Sequence, residues 1–226
     1  MTRVTTAVFL STLAGACGSS QPASPIAPTP VASAVAAAAP RISGFVFEPL
    51  AGGGRRPVAG ASVFGWIDRA NGSGYAVQLG TTGPDGRYQA SPGPDGGIRV
   101  NANKPGYVQP CMASGAVQDG NELDVQLVPR DAPLVSPVLP ALTGVVFEST
   151  PGGRRPISGA EVSALWWGEY PVVTTVTDSK GEYVLCNLTR SLIDGIWAAK
   201  AGYAQHVGAV RLGIGVTAVD VELSPR

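Results

Sequence analysis

Short runs in which apolar and polar residues alternate dominate the chain. Val219, Val221 and Leu223 alternate with two acidic residues, as in a strand with one buried face. The segment 172–177, VVTTVT, is β-branched throughout, and the turn sequence DSKG follows it at 178–181. Glycine in such a turn accepts the positive φ that a tight hairpin requires. The pattern therefore predicts short antiparallel β-strands joined by tight turns.

This strand pattern occurs twice. Residues 42–63 (ISGFVFEPLAGGGRRPVAGASV) align with residues 142–162 (LTGVVFESTPGGRRPISGAEV), with one residue lost in the loop. The copies stay in register to their ends, where DVQL at 124–127 corresponds to DVEL at 220–223. Because internal repeats indicate repeated structural units, we refer to the two copies as the first and second repeat.

The repeats predict the fold class and the domain organisation. With about seven strands in each copy, we expect an all-β fold of two tandem antiparallel β-sandwich domains with Ig-like architecture. Their predicted bounds are 41–130 and 141–226, with a Pro-rich linker (DAPLVSPVLP) at 131–140. Thirty Gly and 20 Pro among 226 residues, about twice the usual share, also argue against long helices.

The N-terminus resembles an export signal. Residues 1–16 combine Arg3, a short apolar stretch and a small-residue cleavage site, as in a secretory signal peptide. Cys17 follows directly, and LAGAC resembles a bacterial lipobox, although Ala14 stands where a larger aliphatic residue is usual. We predict lipid attachment at Cys17 to a bacterial membrane, in the periplasm or at the cell surface, and otherwise secretion. The Pro/Ala/Ser-rich residues 17–40 would form a semi-rigid tether.

The combined motifs resemble a known family. The pattern G-x-V-F, P-x-x-G-A-x-V, G-x-Y, K-x-G-Y and L-x-P in both repeats is similar to the carboxypeptidase regulatory-like domain, which is related to transthyretin. The resemblance implies a prealbumin-like β-sandwich, often grouped with the carbohydrate-binding-like folds. It does not imply peptidase activity, because in that family a separate zinc-dependent domain carries the catalysis, and this sequence shows no such domain.

Candidate catalytic residues are few. His206 is the single histidine, and no other His or Cys lies near it in a metal-ligating pattern. Glu48 and Glu148 occupy equivalent positions of the two repeats and are not expected to face one another as a glycosidase pair. We therefore predict neither enzyme activity nor a cofactor or metal. The formal net charge of zero also gives no electrostatic basis for binding nucleic acid.

Cys111 and Cys186 leave two alternatives open. An exported protein meets an oxidising compartment, where these residues could form a disulfide between the repeats. Because they lie at non-equivalent positions, the sequence favours two separate thiols over this bridge.

Aromatic residues give the main indication of a ligand. Adjacent side chains on a strand point to opposite faces, so Trp166 and Trp167 cannot both enter the core. The outward indole, with Tyr170 nearby and Trp66 in the first repeat, would suit stacking on a sugar ring or anchoring a protein. Packing in the core or under the neighbouring repeat is the favoured alternative.

The sequence predicts a non-catalytic cell-envelope module for binding, adhesion or scaffolding. The family resemblance makes a glycan the leading ligand class, and an envelope protein is the next candidate. A protein-interaction spacer, or an accessory part of a peptidase or hydrolase system, is the alternative function.

Overall fold

β-Strands form along both repeats where the alternating pattern predicts them. The computed structural model describes residues 40–69, 72–93, 96–131, 136–166, 170–190 and 193–226. The predicted signal peptide, Cys17, Trp167 and the Tyr170 side chain lie outside this description.

The strands of the first repeat are β1 (Ile42–Pro49), β2 (Arg55–Pro57), β3 (Ser62–Asp68), β4 (Gly74–Thr81), β5 (Arg87–Ala90), β6 (Gly97–Asn103), β7 (Tyr107–Val108), β8 (Ala113–Ala116), β9 (Asn121–Glu122), β10 (Val125–Gln126) and β11 (Val128–Pro129). Those of the second are β12 (Ala141–Thr150), β13 (Gly153–Pro156), β14 (Glu161–Trp166), β15 (Tyr170–Val176), β16 (Glu182–Leu185), β17 (Gly195–Ala199), β18 (His206–Ala209), β19 (Val216–Ala218) and β20 (Val221–Glu222). The described residues contain no α-helix, and none of them forms a helix that could cross a membrane.

Both repeats have the same sheet topology. In the first, β1 pairs with β2 and β5 on one side and with β9 and β10 on the other, and a second sheet has the order β4-β3-β6-β8. In the second repeat, β12 pairs with β13, β16, β19 and β20, and the other sheet has the order β15-β14-β17-β18. The predicted all-β, sandwich-type fold is confirmed. The domain bounds themselves stay predictions, and Ala38–Arg226 forms one compact unit.

Two details of the predicted sandwich are wrong. Nine strands, rather than about seven, make up the two larger sheets of each repeat, and β7 and β11 of the first repeat form a further two-stranded sheet. The five-stranded sheet of each repeat is also mixed, because β9 and β10 run parallel to β1, as β19 and β20 do to β12. The four-stranded sheets are antiparallel, as predicted. Parallel pairing needs a long connection, and here almost the whole repeat lies between the paired strands.

A buried tyrosine ties the closing segment of each repeat to its first strand. The Tyr183 hydroxyl donates a hydrogen bond to the Val219 carbonyl at 2.7 Å, and the Tyr183 ring lies beside Gly144. In the first repeat Tyr88 donates to the Leu123 carbonyl, also at 2.7 Å. We call Gly144, Tyr183 and Val219 the tyrosine clasp. Burial, with a smaller effect from a nearby aspartate, raises the pKa of both phenols well above the ordinary value.

An ion-paired glutamate links three segments of each repeat. Arg155 bonds the Glu148 carboxylate at 2.5 Å, and the Tyr203 hydroxyl donates to the same carboxylate at 2.9 Å. The equivalent Arg56 bonds Glu48 at 2.5 Å. The hydrogen bond from Arg155, followed by that from Tyr203, holds the pKa of Glu148 below its ordinary value. The glutamates are therefore structural partners of arginine rather than two members of one shared site.

Because Glu148 is paired with Arg155, we expect the fold to lose stability at acid pH. A carboxyl whose pKa is lower in the folded state stabilises the fold above its unfolded pKa of about 4.3, and this contribution disappears as the pH falls through the folded pKa. We expect the melting temperature of Glu148→Gln to fall less steeply than that of the wild type between about pH 5 and pH 2. Thermal melts across this range test it, with the exposed Glu222→Gln as control. Parallel curves for Glu148→Gln and the wild type would contradict the prediction.

Candidate functional site

Two of the four predicted ligand-binding aromatic residues meet where the repeats contact each other. Trp66, on β3, and Trp166, at the end of β14, are both half-buried. Their ring centroids are 5.7 Å apart and their planes are inclined by 76°. This edge-to-face arrangement is a favourable one for aromatic pairs. Each indole is therefore partly covered by the other repeat.

Arg99 completes this aromatic cluster. Its guanidinium lies 4.4 Å from the Trp166 ring centroid and 5.9 Å from that of Trp66. Asp68 Oδ1 accepts hydrogen bonds of 3.0 Å from Arg99 and from the Trp66 indole N–H. The Arg99 side chain is 7% exposed, and its Nε has no hydrogen-bond partner among the described residues. Stacking and one carboxylate thus hold a buried cation between the repeats.

A disulfide and backbone hydrogen bonds join the repeats nearby. The structure bonds Cys111 to Cys186, the alternative that the sequence disfavoured. Around this bond Met112 N donates to Cys186 O, and Cys186 N donates to Pro110 O, both at 2.9 Å. The Met112 side chain enters the core of the second repeat. The sequence lacked a signal for this pairing because the cysteines do not occupy equivalent positions of the repeat.

The first repeat also covers an edge of the second. Strand β15 is an outer strand of its sheet, and such edges expose unpaired backbone groups. Here Thr174 N donates to Gln109 O, and Asn101 Nδ2 donates to Val172 O, each at 2.9 Å. An ion pair between Arg130 and Glu161, at 2.7 Å, connects the repeats at the same place, which we call the junction.

A small polar cleft remains at the junction. Its volume is about 220 Å³, below the roughly 300 Å³ at which pockets for drug-sized ligands begin. Both repeats supply its walls, which include Asn101, Asn103, Gln109, Arg130, Glu161 and Thr174. Amide, hydroxyl and charged groups of this kind can donate and accept hydrogen bonds to a small polar ligand.

The remaining candidates do not assemble into a catalytic site. His206 lies half-buried on β18, and the described residues contain no group of three His, Cys, Asp or Glu residues that could hold a metal ion. Arg55 and Arg154 are exposed and pair with Asp124 and Asp220 in their own repeats. Each of these two arginines is thus neutralised by an ion pair within its own repeat.

Comparison with known proteins gives only loose structural likeness. No family model and no curated protein matches the chain. The minor pilin GBS52 of Streptococcus agalactiae is 13% identical at a TM-score of 0.28, over 83% of this chain and 96% of that one. The major pilin SpaD of Corynebacterium diphtheriae is 9% identical at a TM-score of 0.31, over 83% and 98%. Domains of α2-macroglobulin from Escherichia coli, 13% identical at 0.27, match 77% of this chain and 99% of theirs. Likenesses this weak carry no argument about function.

Proposed function

We propose that this chain is an exported, non-catalytic binding or scaffolding module of the bacterial cell envelope, with a glycan as its leading ligand class. The observation that supports it best is the use of both candidate glutamates, Glu48 and Glu148, in arginine pairs within their own repeats. The polar cleft at the junction, which Tyr107 also lines, supplies groups suited to a sugar.

The repeats, in this proposal, are carboxypeptidase regulatory-like domains at 41–130 and 141–226. The matched tyrosine and glutamate contacts support it, because they involve residues of the shared motif: Gly144 and Tyr183 correspond to Gly44 and Tyr88. Lipid at Cys17 would anchor the module, with residues 17–40 as a tether, and the Cys111–Cys186 bond would hold the repeats together in the oxidising envelope.

A binding screen tests the glycan function. The full chain carrying Cys17→Ser, which remains soluble if Cys17 is the lipid site, is titrated with neutral and acidic oligosaccharides while its tryptophan fluorescence is followed. We expect saturable binding without turnover of the bound sugar. An enzyme would instead cleave a member of the panel and lose this activity in Glu48→Gln or Glu148→Gln. The absence of binding to every glycan would contradict the glycan proposal and favour the protein-interaction spacer.

A further inference from the structure

One face of the first repeat presents an exposed aromatic ring between amide side chains. On β3, Val63 and Ile67 are buried in the core, whereas Phe64 points outward and is 42% exposed. Its register neighbours are Gln78 on β4 and Asn101 on β6. Directly opposed residues of antiparallel strands share a face, with their Cβ atoms about 5 Å apart. A row of amide, phenyl and amide groups therefore crosses the sheet.

This row continues into the junction cleft. Asn101 and Asn103 lie on the same face of β6 and both line the cleft. Asn101 Nδ2 donates a hydrogen bond to Val172 O of the second repeat at 2.9 Å. The second repeat thus forms one wall beside the phenyl ring.

The chemistry of this face favours an uncharged ligand with many hydroxyl groups. Phe64, Gln78, Asn101 and Asn103 carry no charge. The two charged groups in the cleft, Arg130 and Glu161, neutralise each other. Side-chain amides both donate and accept hydrogen bonds, as sugar hydroxyls do. An exposed phenyl ring offers a flat apolar surface to the C–H face of a pyranose.

We propose that Phe64, Gln78, Asn101 and Asn103, with the adjoining cleft, bind a neutral oligosaccharide, with one sugar ring on Phe64 and its neighbour at the cleft. This inference rests on the proposed glycan function and assigns the sugar contact to Phe64 rather than to Trp66, which lies on the same face of β3. Trp66 and Trp166 are less suited to this role because the two rings pack against each other and Arg99 lies over both.

Affinity measurements with variants test the site. Calorimetric titration uses the full chain carrying Cys17→Ser with neutral hexasaccharides of glucose, mannose and N-acetylglucosamine, and hexagalacturonate as the acidic comparison. We expect a neutral hexasaccharide to bind, Phe64→Ala to weaken it roughly tenfold, and Gln78→Ala to weaken it less. Leu50→Ala is the matched control, since Leu50 is 43% exposed and lies outside this face; it should bind as the parent does. Circular dichroism checks that each variant is folded.

The possible results distinguish failure of the proposed Phe64 site from failure of the glycan-binding function. In one result, a neutral glycan binds with an affinity that Phe64→Ala leaves unchanged and that Trp66→Phe or Trp166→Phe weakens. This result would overturn the proposed site but support glycan binding. A preference for hexagalacturonate would overturn the neutral class. If none of the glycans binds, both the site and the glycan-binding function are overturned. Crosslinking of an envelope protein through a photoreactive residue at position 64, without glycan binding, would identify this face as a protein contact and overturn the inference.

Discussion

Replacing Gly144 with alanine is expected to lower the free energy of unfolding by about 3 kcal/mol. A Cβ at this position would collide with the Val219 carbonyl oxygen, lie 2.6 Å from its carbonyl carbon, and approach the Tyr183 ring at 3.1 Å. Neither the backbone nor the buried ring can move without opening the hydrogen bond of the tyrosine clasp. Urea denaturation followed by far-UV circular dichroism measures the loss.

Gly215→Ala is the matched control for this variant. Its Cβ would meet no atom within 4 Å, so we expect a change within about 1 kcal/mol of the wild type. Gly44→Ala repeats the test in the first repeat, where the same Cβ would collide with Leu123 O and Tyr88. Stabilities of Gly144→Ala and Gly215→Ala that agree with each other would show that the close approach is not structurally important.

Removing the Cys111–Cys186 bond is expected to cost about 4 kcal/mol of unfolding free energy. The bond closes a chain segment with a sequence separation of 75, and a cross-link of that span strongly restricts the unfolded chain. The double variant Cys111→Ala/Cys186→Ala, compared with the oxidised parent in guanidinium, measures the effect. The reduced parent should approach the stability of the double variant.

The third cysteine supplies the control. Cys17→Ser should leave the unfolding curve unchanged, because the predicted tether carries no core pattern. Equal stability of the oxidised parent and the double variant would show that the bond does not restrain the unfolded chain.

Contacts within each repeat were largely predictable from the sequence. Alternation predicted the strands, and the aligned repeats already paired Gly44 with Gly144 and Tyr88 with Tyr183. The glycines are required in the tyrosine clasp because a Cβ at either position would collide with the paired carbonyl and press on the tyrosine ring. The parallel pairing of the closing strands was missed, since alternation shows which face is buried but not the direction of the partner strand.

Contacts between the repeats were not predictable in the same way. Ile98 and Val100 alternate with Arg99 and Asn101, which shows that the polar pair faces outward. Nothing local indicates that the second repeat covers this face, because Trp166 and Val172 lie about 70 positions away. Phe64 was missed for another reason: a single exposed phenylalanine is common on a surface, and it became informative only beside Gln78 and the cleft.

Peptide mapping of the full chain tests whether the two repeats are joined into one unit at the junction. The chain is alkylated before any reduction, digested, and analysed by mass spectrometry. We expect a linked pair of peptides containing Cys111 and Cys186, which separates on reduction. Alkylation of Cys111 and Cys186 as free thiols, or a bond from either of them to Cys17, would contradict it.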